Sequence, residues 1–455
     1  MSGVLGITMN KPCWEDLQRA AAIIQPRGDE WGGFACLLHE KMISAAQKGK
    51  ITPLLSGQKE VIMQTSAAIA HLSQKDSQPV VLEAEDTNMG PIAVAFDGKI
   101  TNRQEIRKKS PYLVGSDAEI VARLIAAGKD PSEGIRNVFG HVKGPFSLVL
   151  LTLEGPFAAR DTLGIRPLVL GRSVGGNGLG CAVASESGAL SHINMEIIRD
   201  VKPGEVVEIM PTGFRTIDQQ DSPGLILCGF EHGYWARPSS VIEGTPVGLA
   251  RYIAGTKLAP RCPEADIIAG FPISGDTAAQ GLAFATKIPF RSVFDLNTEA
   301  GGRSFLPFDP EKRAQRARDK LLMMDWAVQW EYEWLTEGLV VVLVDDSIVE
   351  GNQTLSRIFL IRRAGAKEVH LMIETPQMKW SCPFDITRRG SLMAATHSQE
   401  EMRKMLGVKT LAFNTPEDYA EAVISAQSRE RKEKNPLTIN NLCLGCFSGE
   451  FPKYE

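Results

Sequence analysis

The run Val340-Val-Val-Leu-Val-Asp-Asp-Ser-Ile-Val-Glu-Gly-Asn-Gln-Thr354 constrains this 455-residue chain more than any other segment. Its unbroken apolar start marks a strand buried on both faces, as in parallel sheets covered by helices. Asp345 and Asp346 close that strand, and Gly351 and Thr354 follow as turn and helix start. Open α/β sheets bind ligands at this carboxyl edge, where free backbone N–H groups and a helix dipole can hold a phosphate. Adjacent carboxylates there suit a pair of vicinal ribose hydroxyls, bound directly or through a magnesium ion. The same aspartates can also do no more than cap the helix.

The texture of the chain changes along its length. Up to about Gly224, short apolar runs at 92–96, 146–153 and 206–209 alternate with Gly and Pro, while helical periodicity appears at 14–24 and 118–127. That pattern predicts a layered α+β domain over 1–224. From about Leu225, near-continuous apolar strands at 265–269 and 339–344 each lead into a Gly-bearing turn and a helical stretch, predicting a parallel α/β domain over 225–455. The charged run 429–434 reads as a solvated helix end.

Composition removes several function classes. A balance of 50 Lys and Arg against 54 Asp and Glu leaves no basic excess for a phosphate backbone, so nucleic acid is not an expected partner. No apolar run approaches the roughly 20 residues of a membrane helix. The opening residues lack the cationic start and apolar core of a secretory signal. Eight cysteines are too few for a disulfide scaffold of this length, which points to reduced thiols or metal ligands and to the cytoplasm.

Several segments together resemble one family. They are Ala159-Arg-Asp-Thr-Leu-Gly-Ile-Arg-Pro-Leu168, Ala184-Ser-Glu-Ser187, Asp200-Val-Lys-Pro-Gly-Glu205, Phe230-Glu-His-Gly-Tyr-Trp-Ala-Arg-Pro238, the double-aspartate run and Cys443-Leu-Gly-Cys-Phe-Ser-Gly449. The chain is similar nearly end to end to the glutamine phosphoribosyl diphosphate (PRPP) amidotransferases of purine synthesis. The resemblance implies an N-terminal nucleophile (class II glutamine amidotransferase) domain, layered αββα, that frees ammonia. A type I phosphoribosyltransferase domain with a parallel sheet then uses that ammonia to make phosphoribosylamine.

The resemblance also shows what has changed. The family's cysteine nucleophile, freed by processing, stands here as Ser2, a weaker nucleophile near neutral pH. The arginine that holds the substrate carboxylate is absent from His71-Leu-Ser-Gln-Lys75, and the Asn-Gly of the oxyanion hole is Asp97-Gly98. Asp117, expected to hold the substrate amine, and Arg27-Gly28 are kept. In the transferase half Glu350 and Asn352-Gln353 replace the expected basic and hydroxyl residues, and the diphosphate loop reads Ile273-Ser274-Gly275. The closing loop keeps Gly-Arg303-Ser-Phe but not the basic and tyrosine residues before it. Trp326, Trp330 and Trp334, spaced i, i+4, i+8, share one helix face, expected to pack on the domain's own sheet or else to form a partner surface.

Four cysteines match the iron-sulfur branch of the family: Cys228, Cys382, Cys443 and Cys446. The resemblance implies a [4Fe-4S] cluster, with zinc as the alternative, since both accept four thiolates. The expectation is therefore a degenerate homologue. Its glutaminase would be lost and its PRPP chemistry impaired, leaving a scaffold, regulatory partner or nucleotide-binding module that forms a homo-oligomer or a heteromer. Two alternatives are an active transferase fed with ammonia from solution or a partner, using Mg2+ with PRPP, and a Ser2-dependent amidohydrolase.

Overall fold

The structure, a computed structural model, describes residues 2–39, 41–175, 179–296, 321–323, 338–386 and 392–454. Two antiparallel sheets fill the first half. The seven-stranded sheet has the order Met195–Asp200, Val169–Ser173, Gly180–Ala184, Gly3–Met9, Ala67–Ser73, Trp31–Leu38, Lys41–Lys48. The six-stranded sheet has the order Gly213–Gln219, Glu205–Met210, Gly155–Arg160, Phe146–Thr152, Ile92–Gly98, Val80–Leu82.

Side-chain alternation builds four layers from these sheets. Leu5 and Ile7 of Gly3–Met9 pack under the helix Trp14–Ile24, against Leu17, Ala21 and Ile24. Val4 faces the other way, into a core shared between the sheets with Ala93, Ala95, Val149 and Ala158. The far face of the six-stranded sheet meets the helices Asp117–Ala126 and Pro131–His141 through Val94, Phe96, Val121 and Val138. Both sheets are thus buried on both faces, which is why their central strands read as continuous apolar runs rather than alternating ones. The sheets approach so closely that a Cβ on Gly6 would lie 2.7 Å from Val149 Cγ1.

The second half carries a four-stranded parallel sheet in chain order, Ile267–Gly270, Val340–Asp345, Glu368–Ile373, Leu411–Phe413. Val341 and Leu343 pack on Ile358 and Ile361 of the helix Asn352–Arg363, while Val342 and Val344 pack on Ala278 and Leu282 of the helix Asp276–Thr286. The residues 429–434 form an exposed helix, Arg429–Lys434, as their charge predicts. Among the described residues no helix is long and apolar enough to cross a membrane.

Candidate functional site

Ser2 begins the strand entry of Gly3–Met9, and its neighbours fix its main chain. Its N–H donates to Asp97 Oδ1 at 2.9 Å, and its carbonyl accepts from Arg27 Nε at 3.1 Å. Asp97 lies near the end of the strand Ile92–Gly98 and is 2% exposed. Arg166 Nη1 pairs with the same Oδ1 at 2.6 Å, and the buried Oδ2 has no hydrogen-bond partner among the described residues. An anion therefore stands where the resemblance expects an amide donor. His71 is buried beside it, its Nε2 3.2 Å from the Phe96 carbonyl, and burial lowers its pKa against the pull of Asp76 and Asp97.

Arg27 is fully buried and joins three segments distant in sequence. It pairs with Glu186 at 3.0 Å and with Glu231 at 2.5 Å. Burial opposes its charge, but Glu231 and Glu186 overcome that cost and hold the guanidinium charged. Glu231 belongs to a single π-helical turn, Glu231–Trp235, a rare geometry that is frequent at functional sites. Glu186 also accepts from the Ser240 hydroxyl at 2.6 Å, so the residues around Ser2 are anchored to the second half of the chain.

Asp117 is the first residue of its helix because Ser116 and Glu119 form a capping box. Its carboxylate is already engaged, accepting from the Ile100 N–H at 3.1 Å and pairing with Arg103 at 3.1 Å and Lys99 at 3.7 Å. Gly98 is the last residue of its strand, paired with Phe146.

In the parallel sheet Asp345 ends its strand and Asp346 follows it, each 3% exposed. Ser274 Oγ donates to Asp345 Oδ1 at 3.3 Å, and Arg357 pairs with Asp345 Oδ2 at 3.0 Å while lying 4.4 Å from the Phe271 ring centroid. Burial raises the Asp345 pKa, with Arg357 opposing and Asp346 adding to the rise. Asp346 accepts from Ser347 Oγ at 3.0 Å. Gly351 has φ +81 and precedes the helix whose first turn holds buried Thr354. Gly275 is required where it stands, since a Cβ there would lie 2.2 Å from the Val344 carbonyl. Ile273, exposed and β-branched, has φ +48, a strained conformation of the kind that concentrates at ligand-binding turns. Behind the aspartates Glu374 is 0% exposed, 3.8 Å from Arg251, and neither of its oxygens has a hydrogen-bond partner among the described residues.

The four cysteines come together from three segments. Cys228 and Cys443 are partners on the parallel pair Leu227–Cys228 and Leu442–Cys443, and Cys446 hydrogen-bonds with Cys382. Burial pushes the Cys228 thiol up, and the charges of Cys443, Glu231 and Cys382 add to it. Among the described residues no three His, Cys, Asp or Glu side chains are close enough to hold a single metal ion.

Comparison with known proteins decides the kinship. A family model described as a glutamine amidotransferase domain matches residues 64–192. The amidophosphoribosyltransferase of Synechococcus elongatus is 30% identical over 449 residues, covering 94% of this chain and 86% of that one. The chain belongs to the amidophosphoribosyltransferase family. The Bacillus subtilis member is also 30% identical, over 99% of this chain and 94% of its own length. The solved B. subtilis glutamine PRPP amidotransferase, complexed with ADP and GMP, superposes with a TM-score of 0.83 at 29% identity, covering 99% of this chain and 97% of that one. A structure described as the allosteric regulatory enzyme of purine biosynthesis superposes with a TM-score of 0.84 at 28% identity, over 99% of this chain and 96% of that one. The fold is accordingly that of this family, an N-terminal nucleophile amidotransferase domain followed by a type I phosphoribosyltransferase domain.

Within that family frame, the structure brings Ser2, Arg27, Asp97 and Gly98 together, and separately Ser274, Gly275, Asp345 and Asp346, with Gly351 and Thr354 at the start of the helix that follows. Arg303, Trp326, Trp330 and Trp334 lie outside the described residues. Sequence reading passed over Arg166, Glu186 and Glu231 as site residues, although each is a charged residue inside a segment that carries the resemblance. It gave no role to Lys99, Glu374 or Asp385, whose partners include residues far away along the chain, or to Arg357, whose partner Asp345 ends the preceding strand.

Proposed function

We propose that this family member has lost glutamine hydrolysis and that its transferase half serves as a ribose-phosphate-binding module in a scaffold or regulatory partner. The observation that carries this reading is Asp97, a buried carboxylate held by Arg166 and by the Ser2 N–H at the oxyanion position. A tetrahedral oxyanion forming there meets negative charge instead of a donor. Loss of one such donor alone costs about 10²- to 10³-fold in kcat. Ser2 supplies a hydroxyl in place of a thiol, and Asp117 is neutralised by Lys99 and Arg103. In the transferase half Asp345 is paired with Arg357, so the double aspartate is partly spoken for before any ligand arrives.

The ligand proposed for the second half is PRPP, with Mg2+, or a purine nucleotide. Support comes from the double aspartate at the sheet edge, the strained Ile273 turn and the ADP and GMP bound by the B. subtilis relative. For the cysteines we propose a [4Fe-4S] cluster held by Cys228, Cys382, Cys443 and Cys446. Support comes from the convergence of the four thiols from three segments, with Cys228 beside Cys443 and Cys446 bonded to Cys382; a structural zinc, which four thiolates also accept, is the alternative. Bound there, a cluster supplies a structural staple. The domains proposed are 1–224 and 225–455, and the assembly a homo-oligomer or a heteromer with another protein in the cytoplasm.

A second reading, a transferase fed by external ammonia, is favoured by Ser274, Gly275, Asp345 and Asp346 remaining together. The deciding experiment measures phosphoribosylamine formation from PRPP, Mg2+ and either glutamine or ammonia, with protein purified without oxygen. The expected result is no glutamine-dependent turnover. Ammonia-dependent turnover abolished by Asp346→Asn would establish the second reading. Glutamine-dependent turnover requiring a freed Ser2 amine, seen by mass spectrometry, would overturn both in favour of a Ser2-dependent amidohydrolase.

A further inference from the structure

Asp385 belongs to the segment that follows Cys382 in the second half, yet its carboxylate reaches into the first. Its Oδ2 lies 2.9 Å from Lys75 Nζ and 3.2 Å from Lys99 Nζ. Lys99 is in turn 3.7 Å from Asp117 Oδ2, and Asp117 Oδ1 is 3.1 Å from Arg103. The side chains therefore form a row of alternating charge, Lys75, Asp385, Lys99, Asp117, Arg103, that crosses between the two halves.

The backbone of Asp385 is held in the left-handed region at φ +54, unusual for a residue other than glycine. Neighbours on both sides fix it there. The Phe384 carbonyl accepts from Arg166 at 3.0 Å, the Ile386 carbonyl from Trp235 Nε1 at 2.9 Å, and the Asp385 N–H donates to the Cys382 carbonyl at 3.3 Å. A strained conformation persists when its surroundings over-determine it, and here those surroundings aim one carboxylate at two lysines.

An α-amino acid presents a carboxylate and an ammonium a few bonds apart. Lys75 and Lys99 form a carboxylate clamp, and Asp117 beside them is an ammonium acceptor. We propose that Lys75, Lys99 and Asp117 form an α-amino-acid subsite and that Asp385 is its intramolecular occupant, which a free amino acid must displace. This rests on the reading of Asp117 as the substrate-amine residue. It supplies the carboxylate clamp that the missing arginine in His71-Leu-Ser-Gln-Lys75 leaves unassigned. When a ligand carboxylate takes the place of Asp385, Lys99 turns fully to it, and Asp117, still held by Arg103 and the Ile100 N–H, offers to the ligand ammonium the Oδ2 that Lys99 leaves. The lysine stem is flexible enough for that exchange. A tethered carboxylate competes at an effective concentration in the millimolar range or above, so the intact chain holds its subsite closed against dilute ligand.

The test compares L-glutamine and L-glutamate binding by titration calorimetry in the full-length wild type, Asp385→Asn and Asp385→Gly, with melting temperature checked for each. Both substitutions tolerate a positive φ, so the loop keeps its path while the charge is lost. The expected result is at least tenfold tighter amino-acid binding in both folded variants than in the wild type. The gain should disappear when Lys99→Met is added. No gain in either variant, or a gain that survives Lys99→Met, overturns the proposal. Glutamine hydrolysis is assayed alongside. A variant that binds without hydrolysing supports both this inference and the loss of glutaminase, whereas one that binds and hydrolyses keeps the inference and overturns that loss.

Discussion

At the scale of single residues, the chemistry around Ser2 is governed by charges that cannot be removed singly. Arg27 neutralises two carboxylates, Glu186 and Glu231, all three buried. Replacing it by leucine would leave both acids in low dielectric without a partner, which costs about 3–5 kcal/mol. Arg27→Leu is therefore expected to lower the urea midpoint by that equivalent, and an unchanged midpoint would show that water reaches the pair. Asp200 gives a separate, pH-dependent case. Burial, reinforced by Glu243 and opposed by Arg160 and Arg431, pushes its carboxyl up to about 8. A folded pKa above the unfolded value of about 3.9 contributes stability that is complete below that value and lost as pH rises through about 8. Asp200→Asn removes the titration while keeping an acceptor for the Glu243 N–H. At pH about 9 the variant should exceed the wild type by at least about 1.4 kcal/mol, the equivalent of one pKa unit. Parallel melting curves across pH would contradict this.

Elements were legible in the sequence where local signals and burial agree. Helical periodicity over 14–24 coincides with Trp14–Ile24, and that over 118–127 is shifted by one residue at each end from Asp117–Ala126, because the cap formed by Ser116 and Glu119 sets the start. Ser116→Ala should cost about 1 kcal/mol in chemical denaturation, because the Glu119 N–H loses its partner. Strand limits moved by one or two residues, as with 339–344 against Val340–Asp345, since an apolar run does not say where its ladder of hydrogen bonds begins. The double aspartate and the pair Cys443 and Cys446 stood out because their spacing is local, whereas Cys228 and Cys382 stood out only by the segments that carry the resemblance. The partners of those groups did not. Nothing near Asp345 in sequence indicates that Arg357, one helix later, turns back under it against Phe271. The π-turn Glu231–Trp235 was equally hidden, because its extra residue per turn is set by Arg27 and Ile386, both contributed from elsewhere.

At the scale of the whole molecule, one short segment ties the cysteines to the surroundings of Ser2 and to the pair Lys75 and Lys99. Residues 382–386 carry Cys382, offer the Phe384 carbonyl to Arg166, place Asp385 on Lys75 and Lys99, and accept from Trp235. Arg166 in turn holds Asp97, which holds Ser2. The other cysteines lie close to the C-terminal tail, whose Tyr454 hydroxyl donates to Asp161 at 2.7 Å, beside the turn at Leu163 and Gly164. Anything that staples Cys228, Cys382, Cys443 and Cys446 therefore steadies two interfaces at once, because each thiol sits on a segment that crosses between the halves. Cys382→Ser, or removal of iron by a chelator, should lower the melting temperature and raise amide exchange in 380–386, 442–454 and 161–164. The strands Gly3–Met9 and Ile92–Gly98 should keep their protection, since their burial comes from the sheets themselves. Uniform loss of protection would mean that the molecule unfolds as a single unit. No change in the three segments would mean that the thiols carry no staple.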